Sequence, residues 1–285
     1  MLDYYFSLTT IDKHIYSIDM IRINFELNDE LNNSFSELIN NFDFNDGCSL
    51  TRYISKSGLG YHYLYNLKIQ NDTDKCSFSI GTGLLCKKEN ENKGFIEFNP
   101  NKCFKLPFFN KFFNELKKIC YSFKIKRYDV AIDIPIKRDL VKMLKSSKCN
   151  YELLHIYKSE GTYINNSITE YQGRRNHNKF TKLYDKTKES NLDYDLTRIE
   201  FTFDRNEVAF INLPNFYITK NDLDLTNKDT ILISLLLNSV DTNFFLKKLN
   251  YRTRKRLEPY LIKNYISIDI ILILCLRDKV LSFEF

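Results

Sequence analysis

Two strand-like segments carry acids and bases at alternate positions. Residues 126–134, KRYDVAIDI, put Arg127, Asp129 and Asp133 on one face around the small Ala131. Tyr128, Val130, Ile132 and Ile134 then line the other face. Residues 196–203, LTRIEFTF, repeat the arrangement: Thr197, Ile199, Phe201 and Phe203 on one side, Arg198 and Glu200 on the other. The apolar faces imply a buried sheet, and a sheet holds its polar face rigidly. Asp129, Asp133 and Glu200 are hard oxygen donors suited to Mg²⁺ or Mn²⁺. Such an ion would polarise a phosphate. Glu97, on another strand-like segment, is a reserve ligand. Arg127 and Arg198 could grip a phosphate, or the carboxylates themselves, by paired hydrogen bonds. The simpler alternative is that Arg127, Asp129, Arg198 and Glu200 form cross-strand ion pairs. The pattern alone puts those pairs slightly ahead.

Tyr171 is the candidate nucleophile. It lies in TEYQGRR, two residues before Gly173, with Arg174 and Arg175 following. A phenol attacking a DNA phosphodiester forms a phosphotyrosyl bond and frees a hydroxyl. Gly173 lets the backbone approach a phosphate. Tyr157, Tyr163 and Tyr184 are rivals, although Tyr163 lacks a following glycine and Tyr184 is better explained as part of a structural strand. Between Gly173 and Lys188 the cations Arg174, Arg175, Lys179, Lys182, Lys186 and Lys188 face only Asp185. A second basic cluster, Arg252, Arg254, Lys255 and Arg256, lies in YRTRKRLEPY. Either cluster alone is explained by a solvated charged surface. The formal net charge, +6, permits a nucleic-acid partner without requiring one.

Other chemistries are excluded by what the chain lacks. His14, His62, His155 and His177 are scattered, so no His-x-His metal pair exists. There is no P-loop, no G-x-G-x-x-G and no serine nucleophile elbow. Seven cysteines, an odd number without C-x-x-C spacing, argue against a disulfide framework or a zinc site. Reduced thiols in a cytoplasm fit them best. The N-terminus does not read as a signal peptide, and the longest apolar run, residues 270–276, is too short to span a bilayer. A soluble, cytoplasmic protein with no membrane partner is expected.

The elements that must position these residues are mixed. Residues 18–27, 60–69, 76–80 and 94–98 read as strands, and 28–39 as a short amphipathic helix. Gly81-Thr82-Gly83 reads as a turn, and Asn99-Pro100-Asn101 as the close of a hairpin. Pro107 opens a helix to about Tyr121 with a wide phenylalanine stripe. A short helix is expected over 139–144, then four short strands ending at Phe203. Strands in runs with few helices between predict an α+β fold with a largely antiparallel sheet and flanking helices. After Pro214 the texture turns helical, over 221–250, 251–263 and 267–276. Two domains follow: an α+β domain over residues 1–215, and a small helical region, 216–285, that bears the second basic cluster.

The order of motifs over residues 15–205 resembles the replication initiation factor family, which comprises rolling-circle plasmid initiators and related conjugative-element relaxases. The resemblance rests on Arg127, Asp129, Ala131 and Asp133; on Tyr171, Gly173, Arg174 and Arg175; on Leu183, Tyr184, Asp185, Lys186 and Glu189; and on Thr197 to Glu200. Asn99-Pro100-Asn101-Lys102 after a Phe-rich strand adds to it. The chain departs from the family pattern at Gln172 and Arg174. The resemblance implies a strand-rich palm and a sequence-specific, metal-dependent DNA nickase and strand transferase. Tyr171 would be the nucleophile, Asp129, Asp133 and Glu200 the Mg²⁺ or Mn²⁺ ligands, and Arg127 and Arg198 their catalytic companions. Arg174, Arg175, Lys179, Lys182 and Lys186 would track the DNA backbone. Origin DNA, a host helicase and a host polymerase are the implied partners, and a homodimer is compatible with them. A conjugative relaxase and a DNA-binding member without nicking activity are the alternatives, beside a purely structural α+β protein.

Overall fold

The computed structural model describes residues 6–10, 12–28, 35, 37–39, 48–54, 61–70, 75–84, 92–144, 151–156, 167–174, 177–205, 213–218, 228–237, 242–263 and 265–282. The fold is α+β, with antiparallel strand pairing, flanking helices and further helices toward the C-terminus. The chain divides into two compact units. The first holds Met1–Leu8, Ser17–Val130 and Leu274–Phe285; the second holds Thr9–Tyr16 and Ala131–Ile273.

In the first unit the elements run β1 (Ser7–Thr9), β2 (Ile15–Leu27), β3 (Cys48–Ile54), β4 (Tyr61–Gln70), β5 (Lys75–Leu84), β6 (Lys93–Phe98), α1 (Pro100–Cys103), α2 (Pro107–Ile119) and β7 (Cys120–Ile134). The strand order is β3-β4-β5-β6-β2-β7, with β1 beside β2. Helix α2 forms where the phenylalanine stripe required it. Pro107 fills its first turn, and Phe109, Phe112, Phe113 and Leu116 are buried. Phe109 meets Phe78 at 5.1 Å and Phe98 at 4.9 Å between ring centres. Each such ring contributes about 1.5–3 kcal/mol of burial. On β7, Tyr128, Val130, Ile132 and Ile134 are all fully buried, as the alternation predicted.

Three expectations are corrected in this unit. Gly81-Thr82-Gly83 is not a turn but lies within β5. Gly81 pairs with Phe95 across the ladder, and a Cβ at Gly81 would lie 2.6 Å from that ring, so the glycine answers a close approach. Asn99-Pro100-Asn101 does not close a hairpin. Asn99 caps α1, accepting from the Lys102 backbone N–H at 3.1 Å, and Pro100 stands at the first helical position. Cys76 and Cys103 form a disulfide, with Cα atoms 5.9 Å apart, although cysteine spacing argued against one. The pair joins β5 to α1, a tertiary proximity that spacing along the chain does not encode.

The second unit takes Ala131 to Ile134 from β7, then a 3-10 turn (Arg138–Leu140), β8 (Val141–Met143), β9 (Tyr151–Ile156), β10 (Ser167–Gln172), β11 (Thr181–Asp185), α3 (Lys186–Ser190) and β12 (Thr197–Asp204). Strands β9 to β12 are the four short strands expected, in the order β12-β11-β10-β9. The helix expected over 139–144 is instead the turn followed by β8. Further on come β13 (Phe216–Ile218), α4 (Lys228–Leu237), α5 (Thr242–Lys248), α6 (Tyr251–Lys263), β14 (Tyr265–Ile266) and α7 (Ile270–Leu281), the last running on into the first unit. The single helix expected over 221–250 is represented by α4 and α5. Strands β13 and β14, unexpected there, join β8 in a small sheet of order β14-β13-β8. Leu144, Ile233, Leu236 and Leu257 form a core beneath α4 and α6. The segment 28–39 lies largely outside the described residues. Among the described residues no helix is long and apolar enough to cross a membrane.

Candidate functional site

In the first unit, the Nη2 of Arg127 donates to Oε2 of Glu97 at 2.9 Å. The Nη1 of Arg22 donates to the same oxygen at 3.3 Å, and Arg22 is the ladder partner of Glu97. Arg127 is therefore engaged by the reserve carboxylate. Asp129, two residues on, is half-buried.

In the second unit, β10, β11 and β12 carry a row of polar groups on one face. Tyr171 is paired in register with Lys182, and Lys182 with Glu200. Directly paired residues of an antiparallel ladder point the same way, so these three share a face. Tyr184 and Arg198, also paired, lie on it two residues along. Arg198 holds Asp133 with two prongs, Nε to Oδ1 at 2.6 Å and Nη2 to Oδ2 at 2.7 Å. The two oxygens of Glu200 accept from separate donors: the Tyr184 hydroxyl on Oε1 and Lys182 Nζ on Oε2, the latter at 2.5 Å. Tyr171 is only 8% exposed and stacks on Phe180 with ring centres 5.6 Å apart. Gly173 has φ +94, a backbone conformation that favours glycine. The turn after β10 thus requires this glycine whether or not a phosphate approaches it.

The basic run is more heavily paired than its sequence suggests. Arg174 is exposed, and Arg175 lies outside the described residues. Lys179 is half-buried in a left-handed conformation, and its backbone N–H donates to the Thr202 carbonyl. Lys182 is bound to Glu200, Lys186 to Glu189, and Lys188 reaches Asp185 at 3.6 Å. Partial burial works to raise the Glu189 pKa, but the Lys186 hydrogen bond and charge prevail and hold it below the usual carboxylate value. On α6, Asn250 caps the start by accepting from the Thr253 N–H at 2.9 Å. Arg252 and Lys255 are exposed, Arg254 reaches Glu258 at 3.7 Å, and Arg256 donates to Asp229 at 2.7 Å. Large exposed aromatics, Phe244 and Phe245 on α5 and Tyr251 on α6, accompany these cations.

One buried pair escaped the sequence reading. Arg138 donates to Glu170 and, through Nη1, to the Val141 carbonyl at 2.8 Å; both side chains are buried. Glu170 pairs in register with Leu183, and Leu183 with Ile199, so it occupies the apolar face of β10. A carboxylate at an apolar position of the alternation was the signal available.

Two of the three carboxylates expected to hold a divalent ion are already paired with basic side chains. Asp133 is taken by Arg198, and Glu200 by Lys182 and Tyr184. Among the described residues no three His, Cys, Asp or Glu side chains group to hold a metal.

No family model matches the chain, and no curated protein matches it. Among solved structures, a rolling circle replication initiator protein from Geobacillus stearothermophilus aligns over 66% of this chain and 74% of its own, with 15% identity and a TM-score of 0.35. A likeness at that level supports no statement about the activity of this chain.

Proposed function

We propose that this protein binds DNA and transfers strands through a tyrosine–phosphate bond, initiating rolling-circle replication of a mobile element. The observation that carries the reading is the row of phenol, ammonium and carboxylate formed by Tyr171, Lys182 and Glu200 on one face of β10–β12. Nucleophile, cation and base are what a phosphodiester transfer needs from a protein. Tyr171 is the nucleophile that its sequence setting nominates, and Arg198 stands on the same face. The hydroxyl released by the nick would prime a host polymerase, with a host helicase opening the duplex. Arg174, Arg175 and Lys179 would contact phosphates near the row. Arg252, Arg254, Lys255 and Arg256 on α6 would hold the duplex. These contacts would make binding fall steeply with salt.

No step is assigned to a metal; a requirement for Mg²⁺ or Mn²⁺ is decided by assay. The protein is incubated with end-labelled hairpin oligonucleotides from the replicon that encodes it, with and without Mn²⁺. A DNA–protein band that survives denaturation is the expected result, and its loss in chelator would establish the ion. Tyr171 and Tyr184 are buried alike, which favours a second reading, a DNA-binding member without nicking. That protein would shift the oligonucleotides and form no covalent band. Transfer-origin oligonucleotides in place of replication-origin ones separate a relaxase from an initiator.

A further inference from the structure

One phenol in the second unit is already in contact with a base. Tyr184 donates its hydroxyl to Oε1 of Glu200, while Oε2 of the same carboxylate accepts from Lys182. The Tyr184 ring has a second ammonium beside it: Lys182 Nζ lies 5.3 Å and Lys186 Nζ 5.9 Å from its centre. Tyr184 and Glu200 are both buried, where such contacts are weakly screened. Tyr171 stands two strands from Glu200 with β11 between, its ring against Phe180. Hydroxyl, carboxylate and ammonium in one hydrogen-bonded chain is the arrangement of an activated nucleophile with its base oriented by a third group.

We infer that Tyr184, rather than Tyr171, is the phenol that attacks phosphorus, with Glu200 as its general base and Lys182 as the general acid. The inference rests on the strand-transfer reading above. As the Tyr184 Oη–phosphorus bond forms, the bond from phosphorus to the departing O3′ breaks. The phenolic proton passes to Glu200, and O3′ takes a proton from Lys182. The phosphodiester keeps its single negative charge, while the pair becomes neutral acid and neutral amine. Their 2.5 Å contact then returns the proton from Glu200 to Lys182 and restores the ion pair.

The decisive measurement locates the adduct on the unaltered full-length protein. After incubation with labelled hairpin DNA and denaturation, nuclease and trypsin leave a nucleotide mass on one peptide. Cleavage after Lys182 and Lys186 isolates Tyr184 in LYDK, whereas Tyr171 lies in residues 159–174 with Tyr163. The added mass is expected on LYDK. Tyr184→Phe should abolish the adduct with DNA binding retained, and Glu200→Gln should slow its formation about a hundredfold and alter its pH profile. Mass on residues 159–174 overturns this inference and leaves strand transfer standing. Bound DNA with no adduct on any peptide overturns both. Because the mapping uses no variant, misfolding of Tyr184→Phe or Glu200→Gln does not obscure it.

Discussion

Arg198 and Glu200 sit two residues apart on β12, yet each is claimed from a different neighbouring strand. Arg198 takes Asp133 of β7, and Glu200 is taken by Lys182 and Tyr184 of β11. The alternation showed that acids and bases shared a face, but the partner of each depends on strand order, which one strand does not carry. The Arg138–Glu170 pair was hidden for the same reason. It is also costly to break, because either partner alone leaves a buried charge. Arg138→Met should destabilise the fold by about 3–5 kcal/mol, and Arg138→Met with Glu170→Leu by much less. Urea unfolding of the three proteins measures this. Equal losses in the single and double variants would mean the pair bears no buried-charge penalty.

Elements with a strong period were the legible ones. Helix α2 declared itself through Pro107 and its phenylalanines, α6 matches residues 251–263, and β7 and β12 follow their alternation. Short elements fixed by their neighbours were not legible. Strands β13 and β14 have three and two residues, too few for a period, and exist because β8 pairs with β13 and β13 with β14. The Cys76–Cys103 bond belongs to this class, since it depends on α1 lying against β5. With 27 residues of separation, that cross-link should stabilise the oxidised protein by about 3.5 kcal/mol through the unfolded chain it constrains. Unfolding with and without reductant checks it, and Cys103→Ser should match the reduced protein and lose its response to reductant. A reductant-insensitive midpoint in the unaltered protein would contradict the bond.

At the scale of the whole molecule, the shifted groups define a pH window for folding. Burial lowers the His14 pKa from its ordinary 6.5, outweighing the attraction of Asp12. The unfolded chain therefore binds that proton first, and the stability contributed is present above 6.5 and lost as pH falls through the folded value. On the alkaline side burial acts on acids. It raises the Tyr16, Tyr128 and Tyr217 phenols above their ordinary 10.0 and pushes the Cys120 thiol from 9.0 up to about 12. Each keeps its proton longer when folded, so its contribution is complete below the ordinary value and is lost as pH rises through the folded one. Stability should be flat between 6.5 and 9.0 as far as these groups are concerned, and fall on both sides. The alkaline edge is the sharper test, because four groups act in the same direction there, opposed by Lys117, whose ammonium pKa burial lowers from its ordinary 10.5. Urea unfolding across the alkaline range should give a slope that Tyr128→Phe and Cys120→Ala each reduce, whatever either change does to stability near neutrality. If both variants keep the full alkaline slope, burial of these two groups is not what destabilises the fold at high pH.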